Sequence, residues 1–314
     1  MKREDTDQSQ TLDRFLGCLL GLAVGDALGT TLEFAPRGTF EVQTDMIGGG
    51  PFHLRPGQWT DDTSMALCLA SSLVAKRAFD PVDQMDRYCR WWKEGYLSCT
   101  GSCFDIGGTT AGALSRFLRT RDPFSGSIDP HSAGNGSLMR LAPIPMWFYP
   151  DADLASRYAR DSSRTTHGAL ECLDACSLFS QLLVHALSGV SKDELLFQSV
   201  QSFKGVPTIS AIARGEYRKK HESEIHASGY VVYTLEAALW SFYQTVSFET
   251  AVLKAVNLGE DADTTGAVCG QIAGAYFGKS QIPERWLQKL AMRKEIESLA
   301  RSLFFKDMRG MGDG

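Results

Sequence analysis

Two acid-rich stretches far apart in the chain carry the oxygen donors that a hard cation needs. The first is Thr60-Asp61-Asp62-Thr63, ahead of the apolar run Met65-Ala66-Leu67; the second is Glu260-Asp261-Ala262-Asp263-Thr264-Thr265, ahead of a run of small residues. Taken singly, each is explained as a helix N-terminus, where Thr or Asp caps the first turn and carboxylates complement the helix dipole. Capping does not explain the acid density of the second stretch. Glu260, Asp261 and Asp263 repel one another unless a cation or a buried network neutralises them. Carboxylate and hydroxyl oxygens suit Mg²⁺, Mn²⁺ or Ca²⁺ and not zinc. If folding brings the two stretches together, they supply ligands for a pair of octahedral ions.

A reason for such convergence lies just downstream. Gly266, Gly270, Gly274 and Gly278 fall four apart, on one face of the expected helix. Each costs about 1 kcal/mol of helix propensity relative to Ala, so the repetition predicts a second backbone in close approach. Further glycine-bearing turns are candidates for holding a ligand. Gly134-Asn135-Gly136-Ser137-Leu138-Met139-Arg140 offers backbone N–H groups to phosphate oxygens. Arg140 reads equally as a phosphate partner or as the partner of a structural carboxylate. Asp105-Ile106-Gly107-Gly108-Thr109-Thr110 is another entry into a helix through an acid and glycines. His167, on its own, reads as a capping or core histidine.

The elements that must position these residues are helical. Leu12, Phe15, Leu16, Leu19, Leu20, Ala23 and Ala27 recur at three- and four-residue steps, the pattern of one buried helix stripe. Further helices are expected at about 62 to 76, 82 to 93, 110 to 119, 168 to 187, 231 to 243, 248 to 257, 264 to 277 and 291 to 304. Alternating strand-type runs are nearly absent. Breakers concentrate in 35–58 and 121–137, and 206–228 reads as an exposed loop. A single domain over 11–306 is expected between flexible tails at 1–10 and 307–314.

With 43% apolar and 22% charged residues, the chain has the mix of a globular protein with a sizeable core. The net charge of −5 without a dense basic block argues against nucleic acid or an anionic membrane surface as partner. A polar start without an apolar signal segment and eight scattered cysteines without a C-x-x-C pair fit free thiols in the cytoplasm. A monomer is the default.

In order along nearly the whole chain, these motifs resemble the ADP-ribosylglycohydrolase family, in the branch of the dinitrogenase-reductase-activating and ADP-ribosylarginine enzymes. The resemblance is carried by Gly17-Cys18-Leu19-Leu20-Gly21-Leu22-Ala23-Val24-Gly25-Asp26-Ala27-Leu28-Gly29 with Glu33, by Trp59-Thr60-Asp61-Asp62-Thr63, and by Asp105-Ile106-Gly107. It continues through the 134–140 turn, Thr166-His167, the segment from Gly229-Tyr230, and Val256-Asn257-Leu258-Gly259-Glu260-Asp261-Ala262-Asp263-Thr264-Thr265-Gly266. It implies an all-α, compact orthogonal multi-helix fold with two divalent cations, Mg²⁺ or Mn²⁺, at the bottom of a cleft. The implied ligands are Thr60, Asp61, Asp62, Asp261, Asp263 and Thr264. Gly107, Gly108, Asn135, Gly136, Ser137 and His167 would lie along ADP-ribose, with Asp105 near its distal ribose and Tyr230 as a further contact. Glu33 matches a family glutamate on a mobile segment over the metals.

The activity implied is removal of ADP-ribose from a mono-ADP-ribosylated protein, at arginine, reversing an ADP-ribosyltransferase. Metal ions would orient water and grip the ribose hydroxyls, while Asp62 or Asp105 handles a proton. Two other readings stay open. One keeps the chemistry on a serine, nucleobase or ester linkage. The other is an immunity protein that blocks a partner ADP-ribosyltransferase, with 1–10 as its inserted arm.

Overall fold

A computed structural model of the chain describes residues 2–306. Its helices are α1 (Lys2–Gly29), α2 (Asp61–Lys76), α3 (Pro81–Glu94), α4 (Gly108–Thr120), α5 (Pro143–Phe148), α6 (Ala152–Arg164) and α7 (Leu170–Leu187). They continue with α8 (Pro207–Ala213), α9 (Val231–Tyr243), α10 (Phe248–Val256), α11 (Ala262–Phe277), α12 (Glu284–Lys289) and α13 (Arg293–Phe304). Among the described residues only isolated β-bridges occur, so the fold is all-α as expected.

The centre of the fold is an antiparallel pair, α1 against α11, with α9, α10 and α7 packed on α11 and with α13 and α2 on α1. The glycines of α11 meet a matching series on α1. A methyl group on Gly17, Gly21 or Gly25 would collide with the backbone carbonyl of Gly274, Gly270 or Gly266 respectively, and one on Gly29 with that of Ala262. Both helices therefore give up side chains at four-residue steps, and their backbones close on each other. Around this seam sit Leu19, Leu22, Val24, Leu28, Val268 and Ile272, all fully or almost fully buried. The segment Asp7–Leu32 is apolar enough to cross a membrane by length and composition, but its most apolar 18-residue window is 94% buried inside the fold, as the core helix.

Several stretches differ from the sequence reading. Within the 1–10 stretch, residues 2–10 are helical, as the start of α1. Once the buried turns from Phe15 onward are formed, adding polar helix-forming residues costs no new nucleation. The C-terminal 307–314 lies outside the described residues. The 206–228 stretch is packed: it contains α8 and two 3₁₀ turns, and buries Ile209, Ile212, Tyr217 and Ile225. Lys220 there pairs with Glu236 of α9 at 2.6 Å. Helix α6 gives no apolar signal because its buried face is Ala155, Ser156, Ala159, Ser162 and Ser163. All eight cysteines are free, and all but Cys99 and Cys103 are buried.

The seam predicts opposite outcomes for two chemically identical substitutions. Gly270→Ala should cost about 3 kcal/mol or more, or prevent folding, because the methyl meets immovable backbone. Gly112→Ala in α4, where the methyl meets only the tip of Arg116 at 3.5 Å, should gain up to about 1 kcal/mol. Urea denaturation measures both, and equal effects would refute the seam.

Candidate active site

The last turn of α1 sets the site. Asp26 is a carboxylate inside the apolar stretch that ends this helix, wholly buried. It accepts from the Thr60 N–H (2.8 Å) and the Thr63 N–H (3.0 Å), and from the Thr60 and Thr63 hydroxyls (3.0 and 2.6 Å). It therefore caps the N-terminus of α2 from a neighbouring helix. Glu33 does the same for α11, accepting from the Ala262 N–H at 2.9 Å and the Asp263 N–H at 3.4 Å. Capping by the local acids, the rival account of both stretches, thereby fails. Neither Thr60 nor Asp261, the residues at the cap positions, makes a side-chain cap bond. Of the acids at 61, 62, 261 and 263, Asp263 alone takes a backbone N–H of these helix starts, that of the adjacent Thr264 at 2.7 Å.

The two helix mouths do converge. The Thr60 hydroxyl bridges to Asp263 (3.2 Å), and the Thr264 hydroxyl donates to Asp62 (3.3 Å). Glu33, Asp261 and Asp263 each offer an oxygen within 4.8 Å of the others. Asn135 fixes Asp261, donating to its carboxylate at 2.8 Å and to the Thr234 hydroxyl at 2.9 Å. Gln271 of α11 holds the 134–140 turn by donating to the Met139 carbonyl at 2.7 Å.

These groups form the floor of a cleft of about 400 Å³. Glu33, Asp61, Asp105, Asp261, Asp263 and Thr264 line it, with Gly107, Gly108, Asn135, Gly136 and His167 on its walls. Thr60 and Asp62 lie beneath the floor, 0% and 1% exposed. Ser137 also sits behind the wall, bonded to Ser163 (2.8 Å) and Cys176. Tyr230 lines an adjoining recess of about 520 Å³ with Glu171 and His131. That recess shares Thr109, Gly134 and Gly229 with the cleft. Glu33 lies within the acid cluster, in reach of Asp261 and Asp263. It is buried among them because it caps α11.

The acids cannot all ionise side by side. Burial, and then the charge of Asp263, pushes Asp26 and Asp261 up to about 7. Burial, followed by the charges of Asp263, Asp26 and Asp261, pushes Asp105 up to about 9. Glu33, Asp61 and Asp62 rise well above the carboxylate range, burial again being the main cause. One oxygen of Asp62 is buried without any partner. A crowd of hard oxygens with one orphaned atom fits divalent cations, which would neutralise the repulsion and satisfy that oxygen.

Two basic residues play quieter parts. Arg140 pairs with no carboxylate among the described residues. Buried over the Tyr88 ring, it donates to the Gly136 carbonyl (2.9 Å) and the Thr166 hydroxyl (2.7 Å). It thus braces the wall from behind. His167 packs under Gly136, with Nδ1 at 2.8 Å from the Thr166 hydroxyl. Burial and then the Arg140 charge press its pKa down to about 3, so its imidazole is neutral.

Sequence reasoning missed Asp26 and assigned no role to the α1 glycines. Both had a signal: a lone acid inside an apolar stripe, and a four-residue glycine spacing that mirrors the one in α11.

Comparison with known proteins agrees with this geometry. The ADP-ribosylglycohydrolase family model matches residues 7–312. An ADP-ribosylarginine hydrolase, Tri1, of Pseudomonas putida (strain GB-1) is 46% identical over 94% of this chain and 79% of its own length. The ADP-ribosyl-[dinitrogen reductase] glycohydrolase of Rhodospirillum rubrum is 33% identical over 91% of this chain and 92% of its own. A solved structure described as an ADP-ribosylglycohydrolase-related protein complex superposes with a TM-score of 0.85 at 46% identity, covering 96% of this chain and all of that one.

Mg²⁺ or Mn²⁺ at 100-fold excess over Kd should stabilise the protein by about 2.7 kcal/mol per ion, a Tm rise of roughly 5 °C that chelator reverses. Asp61→Asn in chelator at pH 8 should be no less stable than wild type. The sign follows from the raised folded-state pKa: ionising Asp61 above its unfolded value destabilises the native state, and the amide removes that cost. The variant should also gain less from the metal. A metal-independent Tm in both proteins would contradict the cation reading.

Proposed function

Since the chain belongs to the ADP-ribosylglycohydrolase family, we propose that it is a divalent-metal-dependent hydrolase that removes ADP-ribose from arginine side chains of proteins. The observation that carries the reading is the carboxylate floor formed by two helix mouths that are capped from elsewhere. The arginine linkage is supported by the similarity to an ADP-ribosylarginine hydrolase over most of both chains.

Two Mg²⁺ or Mn²⁺ ions, held by Asp61, Asp261, Asp263 and Thr264 with Asp62 and Thr60 behind, would supply Lewis-acid polarisation and a bound water of lowered pKa. The chain's own groups do the rest. The N-terminus of α4 has no side-chain cap and opens into the cleft through Gly107 and Gly108. A Cβ at either glycine would meet nothing in the protein, so packing does not demand the missing side chains. They leave bare N–H groups and the positive end of the helix dipole for a pyrophosphate. The neutral His167 and the backbone of Gly136 form the wall beside it. The recess around Tyr230 leaves room for the rest of the nucleotide.

At the reacting centre, water adds to the anomeric carbon of the ribose while the bond to the guanidine nitrogen breaks. Positive charge develops on the sugar, and the crowded carboxylates favour it. Of the two acids proposed from sequence to move a proton, Asp105 lies on the cleft wall and Asp62 beneath the floor. We therefore assign to Asp105 the delivery of a proton to the departing guanidine. The substrate is the product of an ADP-ribosyltransferase, which makes such a transferase the enzyme's counterpart. We take it to act as a monomer in the cytoplasm, where its free thiols stay reduced.

The test is release of free ADP-ribose from ADP-ribosyl-arginine and ADP-ribosyl-serine peptides, with metal and with chelator. Arginine-linked substrate should turn over faster, and chelator should stop the reaction. Asp261→Asn should lower kcat/KM by about 100-fold or more. Faster release from serine, or activity indifferent to chelator, would overturn the reading.

A further inference from the structure

We propose that Phe34, backed by Phe52 and Phe104, forms the platform on which the guanidinium of the ADP-ribosylated arginine stacks, and so selects the arginine linkage. The inference rests on the arginine reading above and names the residue that would enforce it.

Phe34 is 64% exposed, an apolar ring open to solvent on the lining of a cleft otherwise floored by acids. It is nevertheless held firmly. Its backbone takes a left-handed φ of 61°, its N–H donates to the Glu260 carbonyl at 2.7 Å, and the Glu260 N–H donates to the Ala35 carbonyl at 2.8 Å. The turn buries Glu33 among the acids and points the next residue outward. Behind Phe34 the aromatic surface continues. Phe52 lies 6.3 Å from it at 71°, and Phe104 lies 5.4 Å from Phe52 at 56°. Phe104 immediately precedes Asp105. The arc therefore runs from the neighbour of one cleft acid to the neighbour of another.

Direction along the cleft assigns the occupant. The recess around Tyr230 joins the cleft through Thr109, Gly134 and Gly229, and on the proposed function the nucleotide extends toward that end. Glu33 and Phe34 line the cleft but not the recess. What leaves the anomeric carbon on that side is the side chain of the target protein. A guanidinium is planar, delocalised and weakly hydrated, and it stacks on aromatic faces while its edge reaches carboxylates. Phe34 provides the face, and the acid oxygens of the cleft floor share the same lining. A serine oxygen has neither a plane nor a charge to offer.

Steady-state kinetics on the full-length, metal-loaded protein test this with Phe34→Leu and Phe34→Tyr. Leucine keeps the apolar bulk and removes the π face. It should raise KM for an ADP-ribosyl-arginine peptide by about 3- to 30-fold, with kcat changed less than about 3-fold. The inhibition constant of free ADP-ribose, which lacks the guanidine, should not move. Tyrosine should restore the wild-type KM. An unchanged KM in Phe34→Leu overturns the proposal, as does an equal rise in KM and in the ADP-ribose inhibition constant. Wild-type protein inert toward the arginine peptide would instead remove the underlying activity, and this inference with it.

Discussion

The backbone-to-backbone seam between α1 and α11 is the constraint on which the other features depend. Seven glycines give up helix propensity so that two helices can close along a line of carbonyls, from Gly17 against Gly274 to Gly29 against Ala262. Larger side chains would hold the axes apart at the ordinary 8–10 Å of packed helices. The seam is antiparallel, so the C-terminal end of α1 is delivered to the N-terminal end of α11. Asp26 lies within that last stretch and Glu33 just beyond it. A wider spacing would withdraw both carboxylates from the N–H groups they cap.

That delivery resolves an electrostatic difficulty. A helix N-terminus ordinarily uses its nearest acid as a cap, which fixes the carboxylate against the backbone. Here the caps of α2 and α11 come from α1 and the residues after it, so the acids at 61, 62, 261 and 263 are released toward one another. The release has a cost, visible in the upward push on every cleft carboxylate for which a shift is resolved, Glu33, Asp61, Asp105 and Asp261. The helix dipoles of α2 and α11 offset part of it, since both present their positive ends to the same cluster. The remainder is what a divalent cation would neutralise. Stability and cation affinity are opposed at this floor, as expected where a site is built for a ligand and not for the resting fold.

Much of this was legible in the sequence. The acidic helix mouths, the glycine spacing of α11 and the order of motifs gave the all-α fold and most of the cleft lining. What stayed hidden has physical causes. Asp26 looked like an interruption of an apolar stripe, because its hydrogen-bond partners lie more than thirty residues away. Ser137 and Arg140 belong to a turn of the ligand-binding type, yet their side chains point away from the cleft and brace it from behind. No local pattern distinguishes the two faces of such a turn. Helix α6 hid because periodicity reports apolar contrast, and its buried face is Ala and Ser. The helical start of α1 hid because residues 2–10 are polar, though a helix continues through polar residues once a core has started it.

Left-handed φ values occur at eight non-glycine residues among the described ones, and they serve different ends. Left-handed φ values at Arg77 and Arg121 fall at the C-termini of α2 and α4, where that conformation is the usual way to end a helix. Those at Phe34, Asp105 and Glu260 end no helix, and two of the three lie on the cleft lining. Each costs of order 1 kcal/mol or more and persists only where its surroundings hold it. For Phe34 and Glu260 the hold is visible, since their segments exchange the paired backbone hydrogen bonds described above. An extended backbone at residue 34 would carry the chain past the cleft and leave no sharp reversal between Glu33 and its neighbour. With the left-handed turn, one residue enters the acid cluster and the next faces the incoming protein. The strain at residue 34 thus lies where a buried carboxylate and an exposed aromatic must occupy consecutive positions.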